Sequence, residues 1–159
     1  MPYVALALLA FSLALATAGA APAADWTVKA IQRTDGPGVR CVVESARQPV
    51  WDGYQKTTAF ISVAPKSVAI TAASVLDGSF SDIEIAVDQE DVIRMDRLGG
   101  DKTAVFDSKY ERVVDLFKAG IRVRVQLRFW PTWPATGIHS TEFSLIGFTK
   151  AFNELSGCR

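Results

Sequence analysis

The chain has 159 residues, 17 basic and 17 acidic side chains, a formal net charge of +0 and a hydrophobic content of 49%. That length bounds a single domain built around one core. The charge balance excludes nucleic acid and anionic membrane as principal partners, because both call for a basic excess.

Every charged side chain lies at or after Asp25. Ahead of it, an apolar run from Val4 to Ala16 gives way to small residues, with the pairs Ala18-x-Ala20 and Ala21-x-Ala23. This is the layout of a secretory signal peptide. Residues 1–24 are predicted to form a leader cleaved between about 20 and 24, which leaves 25–159 as one β-rich domain in the periplasm or outside the cell. An uncleaved anchor is the alternative. A spanning helix needs about 20 apolar residues, and here it would have to take in Gly19 and Pro22. No stable membrane insertion is expected after cleavage.

Segments 27–33 and 39–45 alternate in polarity around Asp35-Gly36-Pro37-Gly38, a hairpin signal. Val39, Cys41 and Val43 then share a face, so Cys41 is expected to point toward the core. Residues 46–56 read as an irregular connection carrying Trp51 and Tyr54. Segments 57–63 and 68–73 flank Ala64-Pro65-Lys66-Ser67 as a second strand pair, and 81–87 follows with Ile83, Ile85 and Val87 on one side. Asp77, Asp82, Glu84, Asp88, Glu90 and Asp91 make this region acidic. Asp88-x-Glu90-Asp91 could offer oxygens to calcium, but the spacing of a helix-loop-helix calcium loop is missing, and a solvated strand face is preferred. Segments 91–98 and 102–106 flank Gly99-Gly100-Asp101 as a third hairpin.

Two stretches change period. Ser108-x-x-Glu111 has capping-box spacing, so a helix over about 108–119 is predicted, with Tyr110, Val113, Val114 and Phe117 inward and Gly120 as a left-handed terminal cap. Strict alternation returns at 121–130, where Ile121, Val123, Val125, Leu127 and Phe129 oppose a polar row containing Arg122, Arg124 and Arg128. A final helix over about 147–155 follows from the stripe Phe148, Ala151, Phe152 and Leu155. Cys158 comes just after it. In an oxidising compartment, Cys41 and Cys158 are expected to form one disulfide spanning more than a hundred residues. The whole pattern predicts an antiparallel β-sandwich or barrel-like sheet of about 7–9 strands with two short helices.

Chemistry-bearing residues are few. The single histidine, His139, adjoins Ser140, and neighbours on an extended segment face opposite ways, which is poor geometry for a nucleophile and its base. With both cysteines paired, no zinc ligand set remains, and neither a metal nor a cofactor is expected. Phe129-Trp130-Pro131-Thr132-Trp133-Pro134 is the most unusual local feature. Proline stiffens the loop, so Trp130 and Trp133, with Trp51 and Tyr54, either form a recognition platform or cap the open end of the sandwich. The habitual burial of tryptophan favours capping.

The run Phe143-Ser144-Leu145-Ile146-Gly147-Phe148-Thr149-Lys150-Ala151 resembles the ending of the invasion associated locus B family of exported bacterial proteins, in which Leu-x-Gly-Phe-x-x-Ala leads into a terminal helix. Leu145, Gly147, Phe148 and Ala151 fit that pattern; Trp26, Cys41, Val63-Ala64-Pro65 and Val87-Asp88 are compatible with its layout. Asp25-Trp26 in place of a Gly-x-Trp opening, and the lack of central cysteines, mark a divergent relative. The resemblance implies a periplasmic or secreted β-rich protein, linked in some members to the invasion of host cells, and carries over no catalytic residue. The expected function is non-catalytic binding of a protein or glycan. The alternatives are an inhibitor of a secreted hydrolase, or a small-ligand carrier or enzyme whose groups converge only in three dimensions.

Overall fold

Alternating polarity gives a strand one face to bury, and two such sheets can bury their apolar faces against each other. The structure, a computed structural model, describes residues 25–33, 36–133 and 137–158. The leader and its cleavage positions, Asp35 of the first turn, and Pro134 lie outside the described residues. Among those described, the strands are β1 (Trp26–Gln32), β2 (Val39–Ser45), β3 (Gln48–Trp51), β4 (Lys56–Ala64), β5 (Ser67–Ala72), β6 (Glu84–Val87), β7 (Ile93–Arg94), β8 (Arg97–Leu98), β9 (Thr103–Val105), β10 (Arg122–Leu127) and β11 (His139–Ser144). Helix α1 (Tyr110–Ala119) lies between β9 and β10, and α2 (Phe148–Glu154) follows β11. No helix among the described residues is long and apolar enough to cross a membrane.

One sheet runs β1-β2-β4-β5-β9-β8, with β3 also on β4; the other runs β11-β10-β6-β7, and every pairing is antiparallel. Val43, Ile61, Val63, Val68 and Ile70 of the first sheet join Ile85, Val123, Val125, Leu127 and Phe143 of the second in a single buried cluster. This is the expected antiparallel sandwich, with more and shorter strands than alternation alone resolves and no closed barrel among the described residues.

Several local expectations are corrected. Residues 46–56 are not all irregular, because β3 pairs with the first half of β4 while β2 holds the second half of the same edge. In the gap between them the Ile61 amide donates to Ser45 Oγ at 2.9 Å, so a buried backbone donor keeps a partner. Segment 91–98 splits, β7 joining β6 in one sheet and β8 joining β9 in the other. Ile121 is exposed, and Phe129 is buried through an isolated bridge to Leu76 beyond the end of β10. No capping box forms: Ser108 donates to Asp96, whose carboxylate also accepts the Ser108 amide at 2.7 Å. Gly120 is extended (φ −84, ψ 171), not left-handed; a Cβ there would stand 2.3 Å from Val87 Cγ1 and 2.9 Å from the Leu116 carbonyl. A left-handed glycine is found instead at Gly147 (φ 90), at the start of α2.

Both helices pack near the beginning of β10. Trp26 donates its indole N–H to the Ser144 carbonyl at 2.7 Å, and its ring meets Phe117 of α1 and Phe148 of α2 at 6.1 and 4.9 Å. The 5.3 Å edge contact of Phe117 with Phe148 closes the triangle. Cys41 and Cys158 are disulfide-bonded with their Cα atoms 6.1 Å apart. Cys41 is half-buried and its face-mate Val39 is exposed, because β2 runs past the core at this end. The bond therefore lies beside the core instead of inside it. With a sequence separation of 117 between the cysteines, chain-entropy reasoning assigns the closure about 4–5 kcal/mol.

Candidate binding surface

β10 carries the chain from the helices to the opposite end of the sandwich, where it delivers Trp130 and Trp133; β3 delivers Trp51 and Tyr54 to the same end. Trp130 is 62% exposed, Trp133 80%, Trp51 48% and Tyr54 51%. The capping expectation is thereby corrected. Leu76 and Phe129 are buried and close this end of the core, leaving the indoles outside it. Ile138 adds a further exposed apolar side chain.

Exposed rings on loops need anchors if they are to hold a shape, and two buried carboxylates supply them. In the turn after β3, Asp52 Oδ1 accepts the amides of Tyr54 and Gln55, each at 2.9 Å, while Oδ2 accepts the Ser74 hydroxyl at 2.6 Å. After β10, the Thr132 hydroxyl donates to Asp77, whose other oxygen accepts the Ser79 amide at 2.9 Å. The backbone completes the second anchor: Trp130 N–H donates to the Val75 carbonyl at 2.9 Å, and Asp77 N–H to the Arg128 carbonyl at 2.8 Å. Both loops are thus tied to the segment 74–77, whose ends can be at most about 10 Å apart. The loops that carry Tyr54, Trp130 and Trp133 therefore leave the sandwich at the same end.

Burial alone would raise the Asp52 pKa, but hydrogen bonds from Ser74, Gln55 and Tyr54 outweigh it and hold the carboxyl below its usual range. Asp77 behaves alike: burial opposes ionisation, and the Thr132 and Ser79 hydrogen bonds with the nearby Arg128 charge overcome it. Both side chains are buried as carboxylates, and among the described residues neither makes an ion pair.

His139 opens β11 opposite Leu127, half-buried, with its ring 6.1 Å from that of Phe129. Its Nε2 has no hydrogen-bond partner among the described residues, and Ser140 points away into solvent. Ser74 donates its hydroxyl proton to Asp52 and not to the imidazole. A serine, a histidine and an acid are near one another here without the order that nucleophile activation requires.

Asp88 has a structural task. With φ 50, it accepts the Ile121 and Arg122 amides, each at 3.0 Å, latching the end of β6 to the start of β10. The acidic and basic rows are neighbours, since β6 pairs with β10 and Arg128 pairs with Asp82; Arg94 reaches Glu84 at 3.7 Å, and Arg122 meets Glu142 of β11 at 3.9 Å. Composition pointed to the aromatic residues. The anchoring contacts of Asp52, Ser74, Asp77 and Thr132 were not legible because they join distant stretches, although Asp52-Gly53 is itself a turn signal.

The fold is similar to the crystal structure of invasion associated protein B from Bartonella henselae, with a TM-score of 0.56 and 18% sequence identity over 84% of this chain and 92% of that one. No protein-family model and no curated protein matches the sequence. At this identity the likeness is one of fold.

Proposed function

We propose that this is an exported, non-catalytic interaction protein that engages a protein or glycan partner through Trp51, Tyr54, Trp130 and Trp133. The observation that carries the reading is the exposure of four large aromatic side chains, Trp51 at the end of β3 and the others on loops anchored by buried carboxylates. Anchored aromatics lose little conformational freedom on contact and bury much apolar area, which is why tryptophan and tyrosine dominate interface hot spots. The Cys41–Cys158 bond supports export, since such bonds persist in oxidising compartments. The fold likeness to a protein described as invasion associated supports a role at the bacterial surface or beyond it.

The test is retention of envelope and host-surface proteins and glycans on the immobilised protein, compared with a Trp130→Ala/Trp133→Ala double variant. The reading predicts a ligand held by the unaltered protein and lost by the variant, with the melting curve unchanged. Equal retention by both contradicts it. A retained hydrolase that loses activity when bound would convert the reading to an inhibitor.

A further inference from the structure

Resting on the interaction reading, we propose that this aromatic surface receives a protein partner through a cationic side chain, a lysine or above all an arginine laid against the rings. Three observations converge. The rings present π-faces, whose quadrupole attracts cations, most strongly for indole. Behind them stand Asp52 and Asp77, buried and hydrogen-bonded by neutral donors; Arg128, whose charge reaches Asp77, is shared with Asp82, so these three carboxylates outnumber the one guanidinium. The molecule also uses this contact elsewhere, on phenylalanine: Arg47 lies over Phe60 at 4.2 Å, Arg128 over Phe80 at 4.4 Å and Lys118 over Phe152 at 4.6 Å. Among the described residues, no cation packs on Trp51, Tyr54, Trp130 or Trp133.

The nearby titratable and charged groups leave this complementarity in place. Arg128 is held on Asp82 and Phe80, Lys56 sits at the exposed start of β4 opposite Trp51, and His139 is turned toward Phe129. The rings are widely exposed, Trp133 most of all. That exposure suits a side chain displayed by a large partner better than a small free cation.

The experiment follows the indole N–H signals of Trp51, Trp130 and Trp133 by NMR, with the buried Trp26 indole as internal reference. The probes are a short alternating glycine–arginine peptide, its citrulline counterpart of equal shape without charge, methyl glucoside and phosphatidylcholine vesicles. The expected result is movement of the exposed signals by the arginine peptide while Trp26 stays fixed, binding weaker by about tenfold for the citrulline peptide, and loss of that preference in an Asp52→Asn/Asp77→Asn variant whose Trp26 signal is unmoved. A salt titration of the unaltered protein gives a second reading that needs no variant: the arginine preference should shrink as salt rises. Equal binding of the two peptides, or a preference for sugar or vesicles, overturns the inference while leaving an interaction surface. Silence of the exposed signals toward every probe overturns it too, and a partner that is nonetheless lost on removal of Trp130 and Trp133 would keep the broader reading.

Discussion

The two ends of the sandwich use aromatic residues in opposite ways. At the helix end, Trp26, Phe117 and Phe148 face one another inside the core, the Trp26 indole N–H is satisfied by Ser144, and a disulfide ties the chain terminus alongside. At the loop end, Trp51, Tyr54, Trp130 and Trp133 stay in solvent while the structural work falls to Asp52, Ser74, Asp77 and Thr132. The same residue types are therefore packed in the core at one end and exposed at the other. Local backbone context decides which: Trp26 enters a strand beneath two helices, whereas Trp130 and Trp133 leave a strand into a proline-punctuated loop.

The comparison can be broken most forcefully at the helix end. Replacing Cys41 and Cys158 by serine should cost about 4–5 kcal/mol, and Phe148→Ala about 3–5 kcal/mol, both measured as a fall in the denaturant midpoint. Losses below about 1 kcal/mol would mean that this end is not the stabilising one. Gly120→Ala should cost about 1–3 kcal/mol, because the new methyl meets Val87 and the Leu116 carbonyl in the junction from α1 to β10. A glycine needed only for a left-handed cap would tolerate alanine poorly for another reason, and a crystal structure of the variant showing a displaced Val87 would tell the two apart.

Acid probes the loop end. Asp52 and Asp77 have folded-state pKa values below those of the unfolded chain, so the unfolded state takes up protons first as pH falls. Their stabilisation is complete above the ordinary carboxylate range and is lost as pH drops through the depressed folded values. Denaturant midpoints of the unaltered protein and of Asp52→Asn should accordingly converge on acidification; a constant gap between them would contradict the anchoring role. The smallest effect belongs to Trp133→Ala, within about 0.5 kcal/mol in stability.

How much of this was legible in the sequence depends on whether the deciding contact is local. Strict alternation through Val123, Val125 and Leu127 marked β10, and the stripes through Val113 and Phe117 and through Phe148 and Ala151 marked the helices. The bond between Cys41 and Cys158 followed from the cysteine count and the compartment expected from the leader. β3 was hidden, since four residues including Pro49 carry little periodic signal and only their register with β4 makes them a strand. Segment 91–98 concealed its division because the choice of sheet lies with its partners β6 and β9. Ser108 and Glu111 have capping spacing, yet Asp96 from another stretch takes the Ser108 amide and hydroxyl. The proposed surface was legible as aromatic residues and illegible as a surface, because its anchors are Asp52 on Ser74 and Asp77 on Thr132, 22 and 55 residues apart.

The most direct measurement is the partner affinity of the Trp130→Ala/Trp133→Ala variant, read beside its denaturation midpoint. Loss of affinity with an unshifted midpoint is the predicted result. A lowered midpoint with affinity retained would show that these indoles hold the fold together and recognise nothing.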